Sequence, residues 1–200
     1  MSLSVLEQFL PPDSLPYIES ILVNTPLLIR VTPPRKTRYG SFTLNRKTGR
    51  YIIHISSKLN PYAFMITLIH EIAHVKSYEL YGNKVKPHGD EWKNIFINLL
   101  LPPVKNDVFP PDLRQVLLQH LSNPKSSGSY DTLLVKTLSL YDKEADDLMF
   151  IEDVPHGAEF CLNDNKVFVK GEKLRRRYKC QEKKSKRFFL FNPAAKVRLV

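Results

Sequence analysis

Residues 60–82 read NPYAFMITLIHEIAHVKSYELYG, from Asn60 to Gly82, and this stretch decides the architecture. Asn60 is a favourable helix N-cap, and Pro61 suits the first helical position, where no N–H is needed. Gly82 terminates the run. The spacing therefore predicts a helix from Pro61 to about Tyr81. Phe64, Met65, Leu68, Ile69, Ile72, Ala73 and Val75 cover much of its circumference, as on a helix packed inside a protein. Upstream, residues 37–56 read as a hairpin. TRYGSFTLN and RYIIHIS are rich in aromatic and β-branched residues, with a turn at Arg46–Gly49.

Within the helix, His70-Glu71-Ile72-Ala73-His74 has the H-E-x-x-H pattern. Residues four apart on a helix share a face, one turn apart, so two imidazoles can converge on one cation. Glu71 is turned about 100° away and can flank the ion without ligating it. Three protein ligands and an open position suit catalytic zinc. The implied chemistry is zinc-activated water attacking a peptide carbonyl, with Glu71 as general base. His88 is the best candidate for the third ligand. It lies in the loop before a second helix, about 90–101, and Gly89 permits close backbone approach. His54, His120 and His156 compete, as do the acids Glu79, Asp90 and Glu91.

The remaining punctuation is clear. Pro11-Pro12 separates two short helices, at 2–10 and about 14–23. Pro102-Pro103 is expected to stop the helix starting at Asp90. A further amphipathic helix fits Pro111–Leu121. Asn123–Ser129 has linker composition, and Asp131–Tyr141 is ambiguous between helix and strand. From about Leu148 the chain becomes short strands separated by turn residues.

The charge is unevenly placed. Residues 1–163 carry 17 Lys and Arg against 17 Asp and Glu, whereas residues 164–200 carry 13 against 3. The whole excess of +10 thus lies in a distal segment. Arg175, Arg177, Tyr178, Lys179, Lys184, Lys186 and Arg187 mix cations with a ring. They are candidates for binding the phosphates and bases of DNA or RNA. On a continuous strand Arg175, Arg177 and Lys179 would share one face. No apolar run is long enough to span a membrane, and the N-terminus lacks a basic signal-peptide start, so a cytoplasmic location is expected. The two cysteines, Cys161 and Cys180, are expected to be reduced thiols.

The hairpin followed by HEIAHVKSYELYGNKVKPHGDEWK resembles the SprT-like family, which includes the Spartan DNA–protein crosslink proteases. Its motif is HExxH, a variable loop, then His-Gly followed closely by an aromatic residue. Here these are His70-Glu71 with His74, then His88-Gly89 and Trp92. The resemblance spans roughly residues 25–122. It implies that His88 is the third zinc ligand, that protein substrates are cut, and that the setting is DNA repair. Many members end in a zinc ribbon; residues 148–200 occupy its place without its cysteines, as a metal-free β module. The expected fold is α+β. A small antiparallel sheet packs on the HExxH helix among further helices. The expected organisation is a metalloprotease domain at 1–122, a linker region at 123–147 and the basic module at 148–200. A rival expectation is a nucleic-acid-associated transcription or stress-response protein whose zinc is mainly structural.

Overall fold

Asn60 caps the central helix as its sequence requires: its side chain accepts the Ala63 N–H at 2.9 Å. The helix, α2 (Pro61–Tyr81), ends at Gly82 with φ of 59°, a left-handed position that glycine adopts without strain. The computed structural model describes residues 3–33, 39–124, 131–143, 147–162 and 166–200. The first two residues of the expected hairpin lie outside these. The chain divides into two compact units: residues 1–125 with 137–142, and residues 126–136 with 143–200.

The first unit opens with a 3-10 helix (Leu3–Phe9) and α1 (Leu15–Leu22). Three strands follow: β1 (Leu27–Thr32), β2 (Gly40–Asn45) and β3 (Arg50–Ser56). β2 and β3 form the expected antiparallel hairpin, but the sheet is not wholly antiparallel. β1 pairs with the other edge of β3 in parallel, giving the order β1-β3-β2. Pairing a non-adjacent strand leaves no turn signal, so a hairpin-based reading does not reach it. Gly40, Phe42 and Leu44 lie opposite Ile55, Ile53 and Tyr51, and so share one face of the sheet. Ile29, Ile53 and Ile55 on that face are buried, as are Phe64, Leu68 and Ile72 of α2.

Beyond α2 lie α3 (Asp90–Lys105) and α4 (Pro111–Ser122). α3 corrects the expectation that Pro102-Pro103 stops it, for it continues through both. The prolines remove N–H donors that would bond the carbonyls of Asn98 and Leu99. The Tyr17 hydroxyl donates to the Leu99 carbonyl instead, at 2.5 Å. That bond compensates one orphaned acceptor, and the ladder resumes with Asn106 N–H to Pro102 O at 3.0 Å. The ambiguous stretch is a helix, α5 (Thr132–Ser139), and the division between units falls within it.

The second unit is a six-stranded antiparallel sheet. Its strands are β4 (Met149–Phe150), β5 (Glu159–Cys161), β6 (Val167–Leu174), β7 (Arg177–Glu182), β8 (Phe188–Phe191) and β9 (Lys196–Leu199). They run in the order β4-β9-β5-β6-β7-β8. Ile151, Phe160, Phe168, Cys180 and Phe191 make a small core. Lys170 is buried beside it, 6 % exposed, and donates to the Glu152 carbonyl at 3.0 Å and to the Val154 carbonyl. Cys161 and Cys180 are both free thiols. No described helix is long and apolar enough to cross a membrane.

Candidate metal centre and its surroundings

The Nε2 atoms of His70 and His74 stand 3.2 Å apart on one face of α2. His88 Nε2 completes the group, 2.9 Å from His74 and 3.3 Å from His70. Three nitrogens bound at about 2.0–2.1 Å to one tetrahedral zinc would be roughly 3.3 Å apart, so this donor set fits that ion. Among the described residues it is the one cluster of His, Cys, Asp or Glu close enough to hold a metal. His88 reaches it from the loop between α2 and α3 with a left-handed backbone, φ 61°. Gly89 follows: a β-carbon there would lie 3.0 Å from the Lys86 carbonyl.

Trp92 backs all three imidazoles. Its ring centroid lies 4.6 Å from His70, 5.2 Å from His74 and 4.8 Å from His88. It stacks on Phe96 at 5.0 Å, and both are buried. Burial is the largest cause of the shifted titration of the three imidazoles. Burial, then the neighbouring imidazoles of His74, His88 and His120, lowers His70 to about 3. Burial, then His88, lowers His74 to about 4, and burial also lowers His88. Neutral imidazole is the form that ligates a metal.

Glu71 is 7 % exposed and lies against the start of β2. A β-carbon on Gly40 would stand 2.7 Å from Glu71 Oε1 and 2.7 Å from Thr67 Cγ2, so only glycine lets the strand come this close. Two residues on, Phe42 lies nearly parallel to the His74 ring, centroids 6.2 Å apart. Neither Gly40 nor Phe42 stands out in sequence. A glycine opening a strand two residues before an aromatic is the one available signal.

The competing ligands are elsewhere. His54 is on β3, on the face opposite Ile53; His120 is buried on α4, its ring 6.4 Å from Phe96; His156 lies in a turn of the second unit. Glu79, Asp90 and Glu91 are exposed. Of the distal candidates, Arg177 and Lys179 share the outer face of β7, but Arg175 does not join them. It occupies the turn between β6 and β7 with φ 37°. Lys184 and Lys186 are exposed in the turn before β8, and exposed Arg187 adjoins that strand. The Tyr178 ring lies on the core side, with Lys170 Nζ 4.2 Å from its centroid. The exposed ring on the outer face is Phe188, 59 % exposed, with Lys179 Nζ 4.4 Å from its centroid.

Comparison with known proteins accords with this geometry. The SprT-like family model matches residues 27–101, a span holding the three-stranded sheet, α2, His88 and most of α3. Protein SprT of Pseudomonas fluorescens strain SBW25 is 37 % identical over 51 residues, 25 % of this chain and 31 % of that protein. Protein SprT of Pseudomonas aeruginosa strain LESB58 is 42 % identical over 38 residues, 18 % of this chain and 23 % of that protein. The chain thus spans about a third or less of the length of these curated relatives. No solved structure matches it significantly. Over residues 27–101 the chain is thus similar to the SprT-like family and, within part of that span, to curated SprT proteins.

Proposed function

We propose that this chain is a zinc-dependent endopeptidase of the SprT-like type, acting in the cytoplasm on DNA-associated or DNA-crosslinked proteins as part of DNA repair. The observation that carries the catalytic reading is the juxtaposition of three converging imidazoles with a buried carboxylate on the same helix. Zinc, when bound, supplies Lewis acidity that eases water deprotonation and polarises a peptide carbonyl. His70, His74 and His88 would hold the ion, with Trp92 and Phe96 excluding solvent behind them. Glu71 takes the proton from the attacking water and passes it to the leaving amine. Gly40, lacking a β-carbon, lets β2 lie directly against that carboxylate. β2 is an edge strand among the described residues, and that edge can pair with an extended substrate backbone.

The nucleic-acid half of the reading rests on charge. The entire +10 excess lies after Asn163, and Arg177, Lys179 and exposed Phe188 share one sheet face. Cations beside a ring suit phosphates and bases. In this reading the second unit takes the place of a zinc ribbon and contains no metal. Buried Lys170 ties its turn 152–154 to the sheet. The two free thiols suit a reducing cytoplasm.

The test is self-cleavage and cleavage of a DNA-binding protein, with and without DNA, by wild type and Glu71→Gln at equal zinc content. A general base contributes about 10²–10⁴-fold, so the variant should lose at least about a hundredfold while keeping its zinc. Equal activities would refute the catalytic role and favour a nucleic-acid-associated transcription or stress-response protein with structural zinc.

A further inference from the structure

Beside the candidate metal ligands stand three aromatic rings that the catalytic reading does not use. Phe42 on β2, Tyr51 on β3 and Tyr78 on α2 form a triangle with every centroid pair 6.2 Å apart. Tyr78 lies one helical turn beyond His74, and Phe42 touches both. The β2–β3 register explains the grouping. Phe42 and Tyr51 share the α2-facing side of the sheet; Phe42 lies two residues beyond the point where Gly40 meets Glu71, and Tyr51, opposite Leu44, lies one pair further on. Strand β2 therefore offers no side chain at the base and a ring at the metal ligand.

These rings are not core. Trp92, Phe64 and Phe96 are 1 %, 0 % and 2 % exposed, whereas Phe42, Tyr51 and Tyr78 are each only half-buried. Neither tyrosine hydroxyl bonds another group among the described residues. A half-open aromatic surface contiguous with a ligand set presents ring faces and edges at which another apolar side chain gains contact.

We propose that Phe42, Tyr51 and Tyr78 form a specificity ledge that receives an aromatic or large apolar side chain flanking the scissile peptide bond. The inference rests on the peptidase reading and adds to it the residue preference of the substrate. Phe42 is the central determinant, since it contacts His74 and both tyrosines.

The test uses binding, so it does not depend on turnover. Two short peptide hydroxamates, identical except for a benzyl or a methyl side chain, are titrated into the zinc-loaded full chain. Wild type should prefer benzyl by about tenfold or more, the scale on which apolar pockets separate side chains. The preference should fall to near unity in Phe42→Ala and in Tyr78→Ala, and persist in Thr43→Ala on the opposite face of β2. Phe42→Leu, which keeps apolar bulk, should retain part of it; with Tyr78→Ala it carries the test if Phe42→Ala does not fold. No preference in wild type, or an unchanged preference in both Phe42→Leu and Tyr78→Ala, overturns the ledge. Peptide cleavage by wild type without discrimination refutes the ledge alone. Discrimination without cleavage of any peptide refutes the peptidase reading alone.

Discussion

Gly40→Ala places a methyl where none fits. The added carbon would stand 2.7 Å from both Glu71 Oε1 and Thr67 Cγ2. Carbon contacts settle near 3.5 Å, so something must yield by about 0.8 Å. Thr67 resists, because its hydroxyl donates to the Ala63 carbonyl at 2.7 Å and holds the methyl in place. The Glu71 carboxylate, at the end of a flexible side chain, is the group that moves. Overpacking of this kind costs roughly 1–3 kcal/mol of stability. Displacing a catalytic group by about 1 Å costs up to about a hundredfold in rate. We expect kcat to fall roughly 10- to 100-fold, with zinc stoichiometry intact and a lowered but cooperative thermal transition. The assay is steady-state cleavage of a quenched peptide alongside metal analysis and melting curves. Full activity in a folded, zinc-loaded Gly40→Ala would refute the claim that this glycine sets the position of Glu71.

Other expectations concern separate parts of the molecule. His88→Ala should sharply weaken zinc binding by removing one of three protein ligands, and retention of full zinc content would show that His88 is not a ligand. Neutralising Arg177, Lys179 and Arg187 together should flatten the salt dependence of nucleic-acid affinity, because fewer counterions are released. Phe188→Ala should instead cost about 1–3 kcal/mol with little change in slope if its ring stacks on a base. Titration against salt distinguishes the two, and unchanged binding in both variants removes this face from the interface. In the second unit, the Lys173 hydrogen bond, and after it that of Lys136, hold the Glu152 carboxyl below its usual range. A depressed carboxyl contributes stability that is present above its unfolded value, near 4.5, and lost as pH falls through the folded value. Thermal melts from about pH 6 down to about pH 3 should show a shallower acid loss in Glu152→Gln than in wild type.

The central helix and the convergence of its histidines were legible because their signals are local. Asn60, Pro61 and Gly82 mark two ends, and His70 and His74 are spaced by helix geometry alone. His88 was reachable because a short loop carries it back to the same helix. β1 was not, since its partner β3 lies across a whole hairpin and the parallel pairing leaves no turn to read. Where α3 passes through Pro102-Pro103, Tyr17, more than eighty residues away, donates to a carbonyl the prolines leave bare, a contact no local pattern announces. Arg175 looks like a strand residue until the pairing of Leu174 with Arg177 turns it into a corner. Gly40 and Phe42 acquire meaning only when β2 is laid along α2, which sequence patterning does not specify.

The left-handed backbone of His88 restricts what chemistry the site could acquire by substitution. Besides glycine, the residues that most readily tolerate positive φ are asparagine, aspartate and histidine. Aspartate alone among the replacements satisfies the backbone and also offers an anionic oxygen ligand. A shift toward a two-histidine, one-carboxylate centre is therefore conformationally open at position 88. Cysteine or glutamate would have to bear the backbone cost as well as the change of ligand. The loop thereby limits which metal preferences are accessible by a single change, before affinity for any ion is considered.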